Sequence, residues 1–90
     1  MLFGDRVKAP ADILDVELDW SPLIGTDAIA GSQWEADSGV TVAPLSAASP
    51  KTRARISGGA VDTACAVTNT VTLASGQKFE RAFLVLVRAL

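Results

Sequence analysis

From Ile13 to Trp20 the chain reads ILDVELDW, and Leu14, Val16, Leu18 and Trp20 alternate with Asp15, Glu17 and Asp19. A period of two places the apolar side chains on one face of a strand and the acids on the other, which a helix would not do. Ser21-Pro22 then breaks the ladder, because proline offers no backbone donor. Residues 27–34, DAIAGSQW, predict a shorter second strand, weakened at Gly31, and Asp37-Ser38-Gly39 is a turn signal. Val40, Val42 and Leu45 mark a third strand, followed by a loop over 46–50. A fourth strand, 51–57, carries Arg53 and Arg55 on one face and Ala54 and Ile56 on the other, and Gly58-Gly59 ends it in a tight turn. In the long fifth strand, 61–73, Val61, Thr63, Cys65, Val67, Asn69, Val71 and Leu73 share one face, and Asp62, Ala64, Ala66, Thr68, Thr70 and Thr72 share the other. Ala74-Ser75-Gly76-Gln77 predicts a hairpin turn into a last strand, 78–88.

Six short strands, turns about every ten residues and no helical period indicate an all-β antiparallel sandwich. Each strand has one apolar face, and two facing sheets bury both at once. The last strand breaks the rule: Phe83-Leu84-Val85-Leu86-Val87 is apolar on both sides, which a solvated sheet face does not tolerate. Something must cover Leu84 and Leu86, either an N-terminal segment or another subunit. Residues 1–12 show no clear periodicity and are read as an extended arm, with 13–90 as the sandwich domain. Leu2, Phe3 and Val7 of that arm are candidate covers, from this copy or from the next.

Ninety residues with 49% apolar content suffice for one domain with a modest core. No run is long enough to span a membrane, and the N-terminus lacks the apolar stretch of a secretory signal, so neither membrane insertion nor secretion by that route is expected. A single cysteine, Cys65, cannot form an intrachain disulfide and reads as a small buried hydrophobe. The absence of histidine removes the commonest general base and the commonest metal ligand. Net charge is −2, too acidic for a general nucleic-acid binder. The charge is uneven: residues 1–45 hold two basic against eight acidic side chains, and residues 46–90 hold six basic against two acidic. Either opposite faces attract neighbouring molecules, or the two halves interleave in space and cancel.

Asp15, Glu17 and Asp19 form the one acidic cluster worth weighing. Residues two apart on a strand are separated by roughly 6.5–7 Å, so the outer pair cannot converge on one small ion. A solvated strand face that discourages stray pairing is the simpler reading, and a partner-facing acidic stripe is the other. Trp20 and Trp34 could offer a stacking platform for sugar rings, but alternation puts Trp20 in the core. Arg53 and Arg55 could grip phosphates or acids, or form a charged solvated face, which is the simpler reading. They are expected to lie apart from the acidic stripe. No catalytic set and no cofactor site emerges.

As a set, the residues resemble a family of tailed-bacteriophage virion proteins, the small immunoglobulin-like phage fiber-tail adaptor proteins. The resemblance runs through KAPADILDVELDW at 8–20, Asp27-x-Ile29, Trp34 and Gly39-Val40-x-Val42. It continues through Ile56-Ser57-Gly58-Gly59, Val67-Thr68-Asn69, Val71-Thr72, Gly76 and Glu80-Arg81-x-Phe83. Cys65 departs from it, since the family favours tyrosine there. A corner anchored by a tyrosine hydroxyl must be held otherwise in this chain.

The resemblance implies an immunoglobulin-like sandwich of six or seven strands and a structural, non-enzymatic role in the virion. Such a protein is made in the host bacterial cytoplasm and sits in the tail or neck, joining tail or neck components to fibers. Its expected partners are other copies of itself and other tail, neck or fiber proteins, and an oligomer in the particle is expected. The partner-facing candidates are Leu2, Phe3 and Val7 of the arm, Asp15, Glu17 and Asp19, Arg53 and Arg55, and Leu84 and Leu86. The competing reading is a carbohydrate-binding module on a phage or bacterial surface, which requires exposed aromatic rings.

Overall fold

A computed structural model describes residues 5–37, 39–47 and 50–89. The elements in chain order are β1 (Arg6–Lys8), β2 (Leu14–Asp19), α1 (Ser21–Ile24), β3 (Ile29–Ala36), β4 (Val40–Ser46), β5 (Lys51–Gly58), β6 (Thr63–Leu73) and β7 (Lys78–Val87). They form two facing sheets, sheet A in the order β1-β7-β6-β3 and sheet B in the order β2-β5-β4. Every pairing is antiparallel except β1 with β7, which is parallel. The chain is an all-β sandwich, as the alternation predicts.

The core comes from the faces that the period of two selects. Val16, Leu18 and Trp20 from sheet B and its exit, with Ala54 and Ile56 from β5, meet Val67, Val71, Leu73, Phe83, Val85 and Val87 of sheet A. Trp34 is half-buried and packs edge-on to Phe83, with ring centroids 6.5 Å apart. After Trp20 the chain makes one helical turn in place of a plain break. Pro22 is tolerated there because the first turn needs no N–H donor from it. That turn drops Ile24 into the core before Gly25 stops it.

Several boundaries differ from the pattern, each for a local reason. The second strand starts at Ile29, because the Asp27 carboxylate accepts the Ala28 N–H (2.8 Å) and the Ser75 hydroxyl and so holds a turn. The fifth strand starts at Thr63: Asp62 adopts φ +63°, its N–H bonds Val87 O at 2.8 Å, and Val61 is left 44% exposed. The last strand ends at Val87. Pro44 falls beside a register shift in edge strand β4, where no ladder donor is required of it.

The arm is where the expectation and the structure part most. Its residues 6–8 form a strand in this same molecule, in register Arg6↔Val85, Val7↔Leu86 and Lys8↔Val87. They extend sheet A sideways from the edge of β7 and do not lie over its outer face. Leu84 therefore remains 40% exposed and Val7 51% exposed. Leu2 and Phe3 lie outside the described residues.

Two buried polar constructions fix the sheets to each other. Lys8 is 1% exposed, and its ammonium donates to Ala9 O (2.7 Å), Pro10 O (3.3 Å) and Gly58 O, tying β1 to the far end of β5. All three ammonium donors are thereby used. Asn69, fully buried on β6, accepts at Oδ1 from the Thr52 hydroxyl (2.7 Å) and the Trp20 indole N–H (3.2 Å). Its Nδ2 donates to Ser32 Oγ and Gln33 O, both at 2.9 Å. The indole N–H is shared with Thr52 Oγ1 at 3.0 Å, so one amide links β3, β5, β6 and the exit of β2. The corner beside Cys65 is held by Asp37, which exchanges two bonds with Ala66: its N–H donates to Ala66 O and its carboxylate accepts the Ala66 N–H, both at 3.0 Å.

Candidate interaction surface

No cleft opens among the described residues, and none of their His, Cys, Asp and Glu side chains gather in a group able to hold a metal. No helix among them is long and apolar enough to cross a membrane. What the fold presents is two outer faces of very different chemistry.

The outer face of sheet B is a charge ladder. Strand pairing sets Asp15 opposite Arg55, Glu17 opposite Arg53 and Asp19 opposite Lys51. Arg55 donates Nε and Nη2 to the two oxygens of Asp15, at 2.8 and 3.2 Å, in the fork that guanidinium and carboxylate favour. Lys51 stands 4.0 Å from Glu17. The Arg55 hydrogen bonds hold the Asp15 carboxyl below the usual carboxylate range, and Asp15 raises Arg55 in return. Asp19 is also lowered, chiefly because it accepts the Ser21 N–H at 3.0 Å. The expectation that the acidic and basic stripes occupy separate surfaces is therefore corrected. They are cross-strand partners within one molecule, and three of the eight acids of residues 1–45 meet three of the six bases of residues 46–90 here.

The outer face of sheet A is graded. At the end near the β6–β7 turn it carries Lys78, Glu80 and the threonines Thr68, Thr70 and Thr72. Towards the other end it becomes apolar: Leu84 sits opposite Ala66, and Leu86 sits between Ala64 on β6 and Val7 on β1. Leu84, Val7 and Ala64 are exposed, while Leu86, Ala66 and Ala82 are half-buried. Two leucines thus rise beside a floor of alanines. The leucines were legible as a strand apolar on both sides. The alanine floor was legible only once β6 and β7 were paired in register.

The family described as "Podophage GP4 fiber-tail adaptor protein gp77" matches residues 8–86. The chain belongs to this family. The matched span of the adaptor-family chain begins at the buried Lys8 and ends at Leu86, so it takes in β2 to β6 and all of β7 but its last residue. No curated protein matches it. Among solved structures it is similar to the PKD domain from the KIAA 1837 protein, with TM-score 0.65 and 23% identity over 98% of this chain and 83% of that one. At that identity the likeness speaks for the immunoglobulin-like fold alone, and the fiber-tail adaptor chain shares that fold.

Proposed function

We propose that this chain is a non-enzymatic structural protein of a tailed-bacteriophage virion, an adaptor that joins tail or neck components to fibers. Membership of the fiber-tail adaptor family carries the reading. The outer face of sheet A, with its exposed Leu84 and half-buried Leu86, supplies a surface through which such a role can act. The mechanism is rigid presentation. The Asn69 and Lys8 bonds lock the sheets, so a neighbour meets a preformed face and little ordering cost is left to binding. The apolar patch supplies affinity, and the charged groups around it set orientation. The protein is made in the host bacterial cytoplasm, and its partners are virion proteins, further copies included.

A sugar-binding role needs exposed rings. Trp20 is fully buried and Trp34 is turned edge-on to Phe83, so no observation favours that reading. The test uses particles. Virions assembled without this chain should lack fibers. Supplying the wild-type chain should restore them, and supplying a Leu86→Lys chain of unchanged circular dichroism should not. Full fiber attachment without the chain would refute the role.

A further inference from the structure

We propose that the outer face of sheet A is a two-fold contact between two copies of this chain, centred on Leu84. The outward side chains along β7 are Lys78, Glu80, Ala82, Leu84 and Leu86, and Arg88 follows with its N–H still bonded to Lys8 O at 2.9 Å, which continues the extended register. This row is complementary to its own reversal about Leu84. Two positions away on either side stand a small and a large apolar residue, Ala82 and Leu86. Four positions away stand an acid and a base, Glu80 and Arg88.

Stacking β7 of one copy antiparallel over β7 of the other, with the axis running across the strands at Leu84, sets Leu84 against its twin. Each Leu86 then meets Ala82 of the other copy, and each Arg88 meets Glu80 of the other copy. A two-fold makes every such contact twice. The opposite choice, β7 parallel over β7, would place Glu80 on Glu80, Lys78 on Lys78 and Arg88 on Arg88. Along β7 itself, charge therefore favours the antiparallel arrangement. Facing sheets lie ~10 Å apart, and four residues span ~13 Å of strand. A crossing of about 30° displaces the ends of the row by about 7 Å, within reach of an arginine and a glutamate side chain together. Glu80 and Arg88 are exposed, and neither enters the two ion pairs found among the described residues. Asp5, which flanks Leu84 near the axis, turns its carboxylate into the edge, where Oδ1 accepts the Leu84 N–H at 3.2 Å. The placement of this pair in the particle rests on the adaptor reading, but the contact itself does not.

Sedimentation equilibrium of the purified full chain tests the contact. The wild-type chain should dimerise. Glu80→Arg alone, or Arg88→Glu alone, should weaken the dimer by about tenfold or more, because each creates two like-charge contacts. The two changes together should restore it. Leu84→Lys should give a monomer of unchanged circular dichroism. A wild-type chain that stays monomeric at every accessible concentration would overturn the proposal, as would a double variant no tighter than the singles. The same variants separate this idea from the adaptor role. If the chain is monomeric yet Leu84→Lys particles lose their fibers, the face belongs to a different virion protein: the two-fold contact fails and the adaptor role stands. If the dimer forms as described but particles lacking the chain keep their fibers, the contact stands and the adaptor role fails.

Discussion

The amide of Asn69 is the residue on which both sheets converge. It sits at a position that alternation assigns to the core, among Val67, Val71 and Leu73, where a polar group is costly unless every bond is made. All four of its bonds are made within the protein. Asn69→Ala should destabilise the fold by roughly 2–4 kcal/mol, because the Thr52 hydroxyl, Ser32 and the Gln33 carbonyl lose a buried partner together. Thr52→Val should cost less, since the Trp20 indole keeps Asn69 as its acceptor. Urea unfolding followed by tryptophan fluorescence ranks the two, and an Asn69→Ala midpoint equal to wild type would contradict the account. Surface acids set the pH response. Asp15, Asp19 and Asp27 are lowered from 3.8, respectively by Arg55, by the Ser21 N–H and by the Ser75 hydroxyl. A folded-state value below the unfolded one means that the stabilisation is complete above about pH 4 and is lost as pH falls through the folded values. With no histidine in the chain, no imidazole titration interrupts the range above that. Denaturation midpoints should be flat from pH 7 to 5 and fall towards pH 3; a rise on acidification would exclude this origin.

At the scale of elements, the turn after β5 is as demanding as any strand. Gly59 adopts φ +108°, and a Cβ there would lie 2.7 Å from Val87 Cγ2, itself part of a fully buried side chain. Gly59→Ala should therefore cost about 2 kcal/mol or more, from backbone strain and overpacking combined. Gly31, at the bulge of β3, has open space around the same position, and Gly31→Ala should be close to neutral. Thermal melts of the two variants give a direct comparison, and equal losses would refute the steric argument. The same contrast explains what could be read along the chain. Strands β2, β5 and β6 announce themselves because six or more residues alternate around a shared core, and the faces of Arg53 and Ala54 follow from parity alone, whereas β7 stands out by being apolar on both sides. β1 does not, because three residues carry no period and their partner strand lies almost eighty positions away. The start of β3 was misplaced because Asp27 spends its side chain on a turn, a choice invisible to a count of apolar positions.

For the whole molecule, the least legible property was which charges meet. Alternation places Asp15, Glu17 and Asp19 outward, and likewise Arg53 and Arg55, but only the pairing of two strands more than thirty residues apart sets them opposite one another. The candidate contact face suffered similarly: Leu84 and Leu86 stood out, whereas the alanines beside them belong to another strand. The charge ladder leaves a question that a single reversal cannot answer. Arg53→Glu with Arg55→Glu sets new carboxylates across from Asp15 and Glu17, so the isolated chain itself should lose stability. Added salt should return part of the loss by screening. Impaired assembly of that variant would therefore be ambiguous. Inverting the ladder removes the ambiguity, by combining Arg53→Glu and Arg55→Glu with Asp15→Arg and Glu17→Arg. Cross-strand attraction is then kept while the field seen by a neighbour changes sign at each rung. The inverted chain should recover most of the lost denaturation midpoint. If the two stripes orient the adaptor against its partners, particles carrying the inverted chain should still lack fibers although the chain folds. Normal fiber attachment would show that the ladder serves only its own sheet, and that recognition rests with the apolar face of the other.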